Sequence, residues 1–151
     1  MKPLIVLLSS FTIALFATLL ISKEYNVALS ARIGMAVMLI FTAIGHFIFV
    51  DGMSMMLPQR IPFKENIIYL TGVLEILLAA GILVPRLQIP FGWMLVIFLL
   101  MILPANIYAA IHQINYQNAS LDGPGLHYLW FRVPLQVVFI VWTYISTIRF
   151  T

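Results

Sequence analysis

Cysteine is absent from this 151-residue chain, so it can build no disulfide, thiolate metal site or thiol redox centre of its own. Any redox role must borrow its chemistry from a cofactor or partner. Charge is almost as scarce: only 9% of residues are Asp, Glu, Lys or Arg, far below the share that keeps a soluble domain in water. The eight Lys and Arg outnumber the five acids, but they are spread thinly and form no basic patch, so nucleic acid is not an expected partner. Neither HxxxH nor ExxH occurs, and His112 and His127 sit in or beside a loop without ligand spacing, which gives no expectation of a metal. No Gly-rich phosphate loop follows a strand, and no serine has an activating partner at a readable spacing. The chain therefore carries no autonomous catalytic motif, and at most serves as an accessory subunit of an oxidoreductase.

What the sequence has in abundance is hydrophobic residues, 63% of the total. They fall into five runs, 4–21, 31–50, 67–84, 89–111 and 128–148, each close to the roughly 20 residues a helix needs to cross hydrocarbon. The runs predict an all-α, multi-pass integral membrane protein with a single domain over 1–151, the lipid bilayer being its first partner. Lys23, Glu24 and Asn26 break the first gap, Asp51 and Gly52 end the second run, and Pro85, Arg86 and Gln88 mark a tight turn. His112 to Gly125 reads as a polar loop. The first run is expected to be a retained helix, because it is longer than a signal-peptide core and no A-x-A pattern precedes Lys23. Lys2, Arg60 and Lys64 fall on one side and Lys23, Arg86 and Arg149 on the other; only Arg32 tips the count, toward an outside N-terminus. Trp93, Tyr108, Tyr128, Trp130 and Trp142 lie near run ends, where amphipathic rings favour headgroups.

The connection from Asp51 to Asn66 is too apolar for a solvated loop, with Met53, Met55, Met56, Leu57, Ile61 and Phe63, yet Pro58 and Pro62 prevent a long helix. Met53, Met55 and Met56 are lid candidates, since the thioether chain adapts to apolar ligands. The competing reading is an interfacial anchor that points Arg60 and Lys64 at headgroups.

Five polar side chains interrupt the runs: His46, Glu75, Asn106, Arg132 and Gln136. Ionisable groups inside a membrane are costly and mark functional sites. Counting at about 1.5 Å per residue along the antiparallel path puts His46 and Arg132 roughly 6 Å, Asn106 roughly 8 Å, and Glu75 and Gln136 roughly 12 Å from the Met-rich side. All five fall in one leaflet. An isolated carboxylate there either takes up a proton or finds a cation, and Arg132 is the only permanent cation at nearby depth, so Glu75 is expected to pair with it. His46 can hydrogen-bond the same carboxylate at the mouth of a pocket. Asn106 and Gln136 offer donor and acceptor groups suited to a carbonyl or hydroxyl. The alternative is an interhelical network that fixes helix registry.

The runs Gly45-His46-Phe47, Gly72-Val73-Leu74-Glu75, Pro104-Ala105-Asn106-Ile107-Tyr108 and Arg132-Val133-Pro134-Leu135-Gln136 resemble the DoxX-like family of small membrane proteins. The resemblance spans residues 31–148 and implies an antiparallel four-helix transmembrane bundle, here with one additional N-terminal transmembrane helix. It also implies a bacterial inner membrane location and a link to quinone or other redox processes, with a membrane or periplasmic redox protein as partner and no covalently bound cofactor. The five polar residues are positions of that shared motif. Two functions from different classes follow: a redox-associated subunit binding a quinone-like or other lipophilic molecule, or a noncatalytic assembly factor or partner-binding module.

Overall fold

Helix formation follows from long apolar runs punctuated by caps and prolines, and the computed structural model, which describes residues 2–150, places the boundaries. α1 spans Lys2–Ser22 and α2 spans Val27–Ile48. Asn26 starts α2 by accepting the Leu29 N–H at 3.0 Å through its side chain, satisfying one of the orphan donors of a helix start. α2 ends at Phe49, whose ψ of 37° departs from helical geometry, and the six-residue α3, Val50–Met55, follows immediately. α4 covers Lys64–Gly81, α5 Gln88–Ile111 and α6 Leu129–Thr143. A 3₁₀ turn at Gly125–Tyr128 precedes α6, and a π-helical segment at Tyr144–Arg149 continues it. Among the described residues no strand forms; the nearest approach is one antiparallel bridge between Asn115 and Ser120 in the loop before α6.

Four helical stretches are long and apolar enough to cross a membrane: α1, α2, α5 and Gly125–Arg149. The run expected at 67–84 is the exception. Its helix begins three residues earlier and takes in Lys64 and Glu65 in addition to Glu75, which leaves an 18-residue helix of about 27 Å whose composition is less apolar than that of its neighbours. The tight turn predicted around Pro85 is present, joining α4 to α5 through the Leu87 N–H to Val84 carbonyl bond at 2.9 Å.

Specific contacts fix the helix directions. Gly34 of α2 lies against Phe11 of α1, and Thr18 and Ser30 hydroxyls are 3.4 Å apart nearer the connecting turn, so α1 and α2 are antiparallel. His46 faces Thr71 while Thr42 faces Glu75, which makes α2 and α4 antiparallel. Gly81 of α4 meets the Phe91 ring of α5. Asn106 bonds Arg132, Leu99 bonds Gln136 and Gly92 touches Thr147, so α5 and the α6 segment are antiparallel as well. The Trp142 indole donates to the Ala31 carbonyl at 3.0 Å and stands edge-on to Phe11, bringing α6 back to α1 and α2. Of the rings assigned to headgroups by their position, Trp142 is thus held inside, whereas Trp130 is 83% exposed.

The core draws on all five long helices: Leu7, Met35, Leu39, Leu78, Ile82, Leu95, Phe98 and Phe139 pack together. The outer surface is equally apolar, with Ile13, Leu20, Leu70, Leu77, Ile97 and Met101 exposed. A surface of this kind suits hydrocarbon as solvent.

Candidate functional site

The five polar residues divide into two groups, and they are not all at one end: Gln136 meets Leu99, halfway along α5. The first is built on α2 and α4. Thr42 and His46 are four residues apart on α2, and Thr71 and Glu75 are four residues apart on α4, so each pair stands on a single helical face. Gly72 lets the helices meet: a Cβ there would lie 2.9 Å from His46 Cβ and 3.2 Å from the Phe47 ring.

Thr71 Oγ1 donates to the Ile68 carbonyl at 2.8 Å and lies 2.9 Å from His46 Nδ1; the same nitrogen is 3.3 Å from the Ile68 carbonyl. With the single hydroxyl proton committed to the carbonyl, Nδ1 carries a proton and donates. His46 Nε2 then faces Glu75 Oε1 across 3.7 Å, within the reach of charge attraction but longer than a hydrogen bond. Glu75 is only 4% exposed. Its Oε2 is buried and has no hydrogen-bond partner, while the Thr42 hydroxyl borders the carboxyl group and itself donates to the Leu39 carbonyl at 3.0 Å. A buried acceptor without a partner is uncommon enough to need an explanation.

The second group is built on α5, α6 and the loop between them. An Arg132 Nη1 N–H donates to Asn106 Oδ1, and the Gln136 amide donates to the Leu99 carbonyl. Leu99 precedes by one residue the carbonyl whose usual donor Pro104 removes, and a side-chain amide there supports a helix that the proline has weakened. The Arg132 guanidinium also lies 4.9 Å from the Tyr128 ring centroid and 5.7 Å from that of Tyr116. The expected pairing of Glu75 with Arg132 is therefore corrected. Glu75 has His46 as its ionic neighbour, and among the described residues no carboxylate lies within salt-bridge distance of Arg132.

The lid candidates Met53, Met55 and Met56 are half-buried in and just after α3. Met53 is the one near the first group, its methyl facing Gly45. The segment is tied down at three points. The Tyr116 backbone rests on Gly52, Phe49 and Tyr116 stack edge-on with centroids 5.9 Å apart, and Lys64 Nζ donates to the Leu57 carbonyl at 2.9 Å.

The family match agrees with where these groups lie. A family described as a domain of unknown function, DUF8561, matches residues 35–147. The chain belongs to the DUF8561 family. The DUF8561 region contains all five polar residues, their threonine and tyrosine partners, and the Met-rich segment, and it leaves out α1. No curated protein matches the chain, and no solved structure matches it.

Thr42, Thr71, Tyr116 and Tyr128 are the site residues that the sequence reading passed over. For the threonines a signal existed, since each stands four residues before His46 or Glu75. Tyr128 carried the same signal, standing four residues before Arg132, and was read only as a headgroup ring; Tyr116 gave none, because only the folded loop carries it to the arginine.

Proposed function

We propose that this protein is a small redox-associated membrane subunit of DoxX-like type, in a bacterial inner membrane, that binds the polar head of a quinone-like or other lipophilic molecule at Glu75 and His46. The observation that carries the reading is the buried Glu75 oxygen without a partner, beside a histidine that is within reach of charge attraction and too far to bond directly. A quinol hydroxyl can donate to the carboxylate, and a quinone carbonyl can accept from the protonated acid, so the same oxygen suits both forms of such a head. A bound quinone would supply reversible two-electron chemistry; the chain's part is to hold the head and exchange a proton at Glu75 Oε2. Met53 and the apolar faces of α2 and α4 suit an isoprenoid or acyl tail, and a membrane or periplasmic redox protein would be the electron partner.

The test is binding of a short-chain ubiquinone to purified protein in detergent, read by thermal stabilisation and by mass spectrometry of co-purified lipophiles. Wild type is expected to be stabilised and Glu75→Gln to lose most of that response while folding normally. Equal behaviour of the two would end the proposal. A noncatalytic assembly or partner-binding role is the second reading, and it is favoured by Asn106 and Gln136, both of which spend their side chains on neighbouring helices. It predicts that loss of function in any of these variants tracks loss of folded protein.

A further inference from the structure

Arg132 is a permanent cation with an unusual set of neighbours. Asn106 takes one of its N–H groups. Two tyrosine rings flank the guanidinium, their centroids at 4.9 and 5.7 Å, within the range of cation–π attraction. The remaining guanidinium nitrogens donate to no protein group among the described residues, and none is sealed inside as an orphaned donor. They are thus accessible on a partly exposed side chain, and among the described residues no carboxylate lies within salt-bridge distance of them.

Position narrows what meets those nitrogens. Arg132 is three residues into α6, about 4.5 Å along the helix, in the first third of the candidate span Gly125–Arg149. Apolar side chains close to it in the chain are exposed: Leu126 is 60%, Trp130 83% and Val133 37% exposed. An exposed tryptophan beside an arginine at a helix end is the arrangement expected where a chain meets the headgroup layer. Tyr116 in turn is fixed by Phe49 and by Gly52, so the clamp is braced from the far side of the bundle mouth.

We propose that Arg132, held by Tyr128 and Tyr116, is the binding site for the phosphodiester of an anionic phospholipid, with Leu126, Trp130 and Val133 receiving its acyl chains. The site shares no residue with the His46 and Glu75 group and does not depend on the quinone reading. A guanidinium edge matches two phosphate oxygens at once, which an ammonium cannot do.

The experiment uses the full chain in neutral detergent, titrated separately with phosphatidylglycerol, phosphatidylcholine and inorganic phosphate, with melting temperature and native mass spectrometry as readouts. Phosphatidylglycerol is expected to raise the melting temperature and to be retained, with phosphatidylcholine much weaker and phosphate alone without effect. Arg132→Lys, which keeps the charge, is expected to raise the half-saturating phosphatidylglycerol concentration about tenfold, the scale of one charge-assisted hydrogen bond. Arg132→Gln is expected to abolish the preference over phosphatidylcholine. If Arg132→Gln fails to fold, the Lys variant and Tyr128→Leu, expected to weaken binding with the charge intact, decide the matter. Equal stabilisation by both lipids, an equal response to free phosphate, or an undiminished response in Arg132→Lys would each overturn the proposal.

Discussion

A buried carboxyl group and an open guanidinium stand in this bundle without neutralising each other, and each has recruited hydroxyl or aromatic neighbours instead. Glu75 has Thr42 and His46, while Arg132 has Asn106, Tyr116 and Tyr128. Depth counting expects both toward one end, because depth depends only on helical rise. It could not choose partners, because that depends on which helices are adjacent: α4 pairs with α2, and α6 with α5. A different residue shows how the loop outside the membrane responds to acid. The Ser120 hydroxyl, with the Asn115 side chain, holds the Asp122 carboxyl below the usual aspartate range. A carboxylate lowered in the folded state stabilises the loop above its unfolded value and loses that contribution as pH falls through the folded value. Ser120→Ala is therefore expected to move the Asp122 midpoint back up toward the ordinary range of about 3.9. A carboxyl-carbon NMR titration in micelles checks this, and an unchanged midpoint would show that the hydroxyl is not the cause.

Among the elements, α4 departs furthest from its sequence expectation. An apolar run of the right length was legible at 67–84, but helix formation ignores hydropathy and extends back through Glu65 and Lys64 until Pro62 and the left-handed Phe63, at φ 53°, stop it. The polar first turn is thus part of the same helix as Glu75. The break after Ile48 was legible from Asp51 and Gly52, whereas the short α3 that follows was not, since six residues carry too little periodicity to read. Two glycines let these elements come together, and their substitution separates two effects. Gly72→Ala pushes a methyl group into His46 and Phe47 and is expected to cost about 1–3 kcal/mol, the usual penalty for overpacking. It should also weaken quinone-dependent stabilisation, because His46 moves. Gly52→Ala directs its methyl group at the Tyr116 backbone, which cannot swing aside; protease cutting within 112–124 is expected to rise while the α2 and α4 pair stays intact. Equal protection of that loop in wild type and Gly52→Ala would show the contact to be dispensable.

At the scale of the whole molecule, the contacts describe five long helices packed together, four of which reach the length and apolarity of a membrane span. α2 covers Glu75 of α4 and α5 covers its end at Gly81, and we propose that α4 crosses with them as a fifth pass. An odd number of passes would put the start of α1 and the end of the π-helical segment on opposite faces of the membrane. Reporter fusions at Lys2 and Arg149 are expected to give opposite compartment signals, and the same signal from both would show that α4 lies along the surface instead of crossing. The bundle also has an order of assembly written into its polar contacts. His46 and Glu75 meet as soon as the first three long helices are in place, so a chain emerging from the ribosome can shield that carboxyl group early. Asn106 has no such early partner; Arg132 is 26 residues further on. Until α6 arrives, α5 must wait with the Asn106 amide unpartnered and its proline-weakened stretch unsupported. The last helix to be made is thus the one that braces the helix before it, through Arg132 to Asn106 and Gln136 to Leu99.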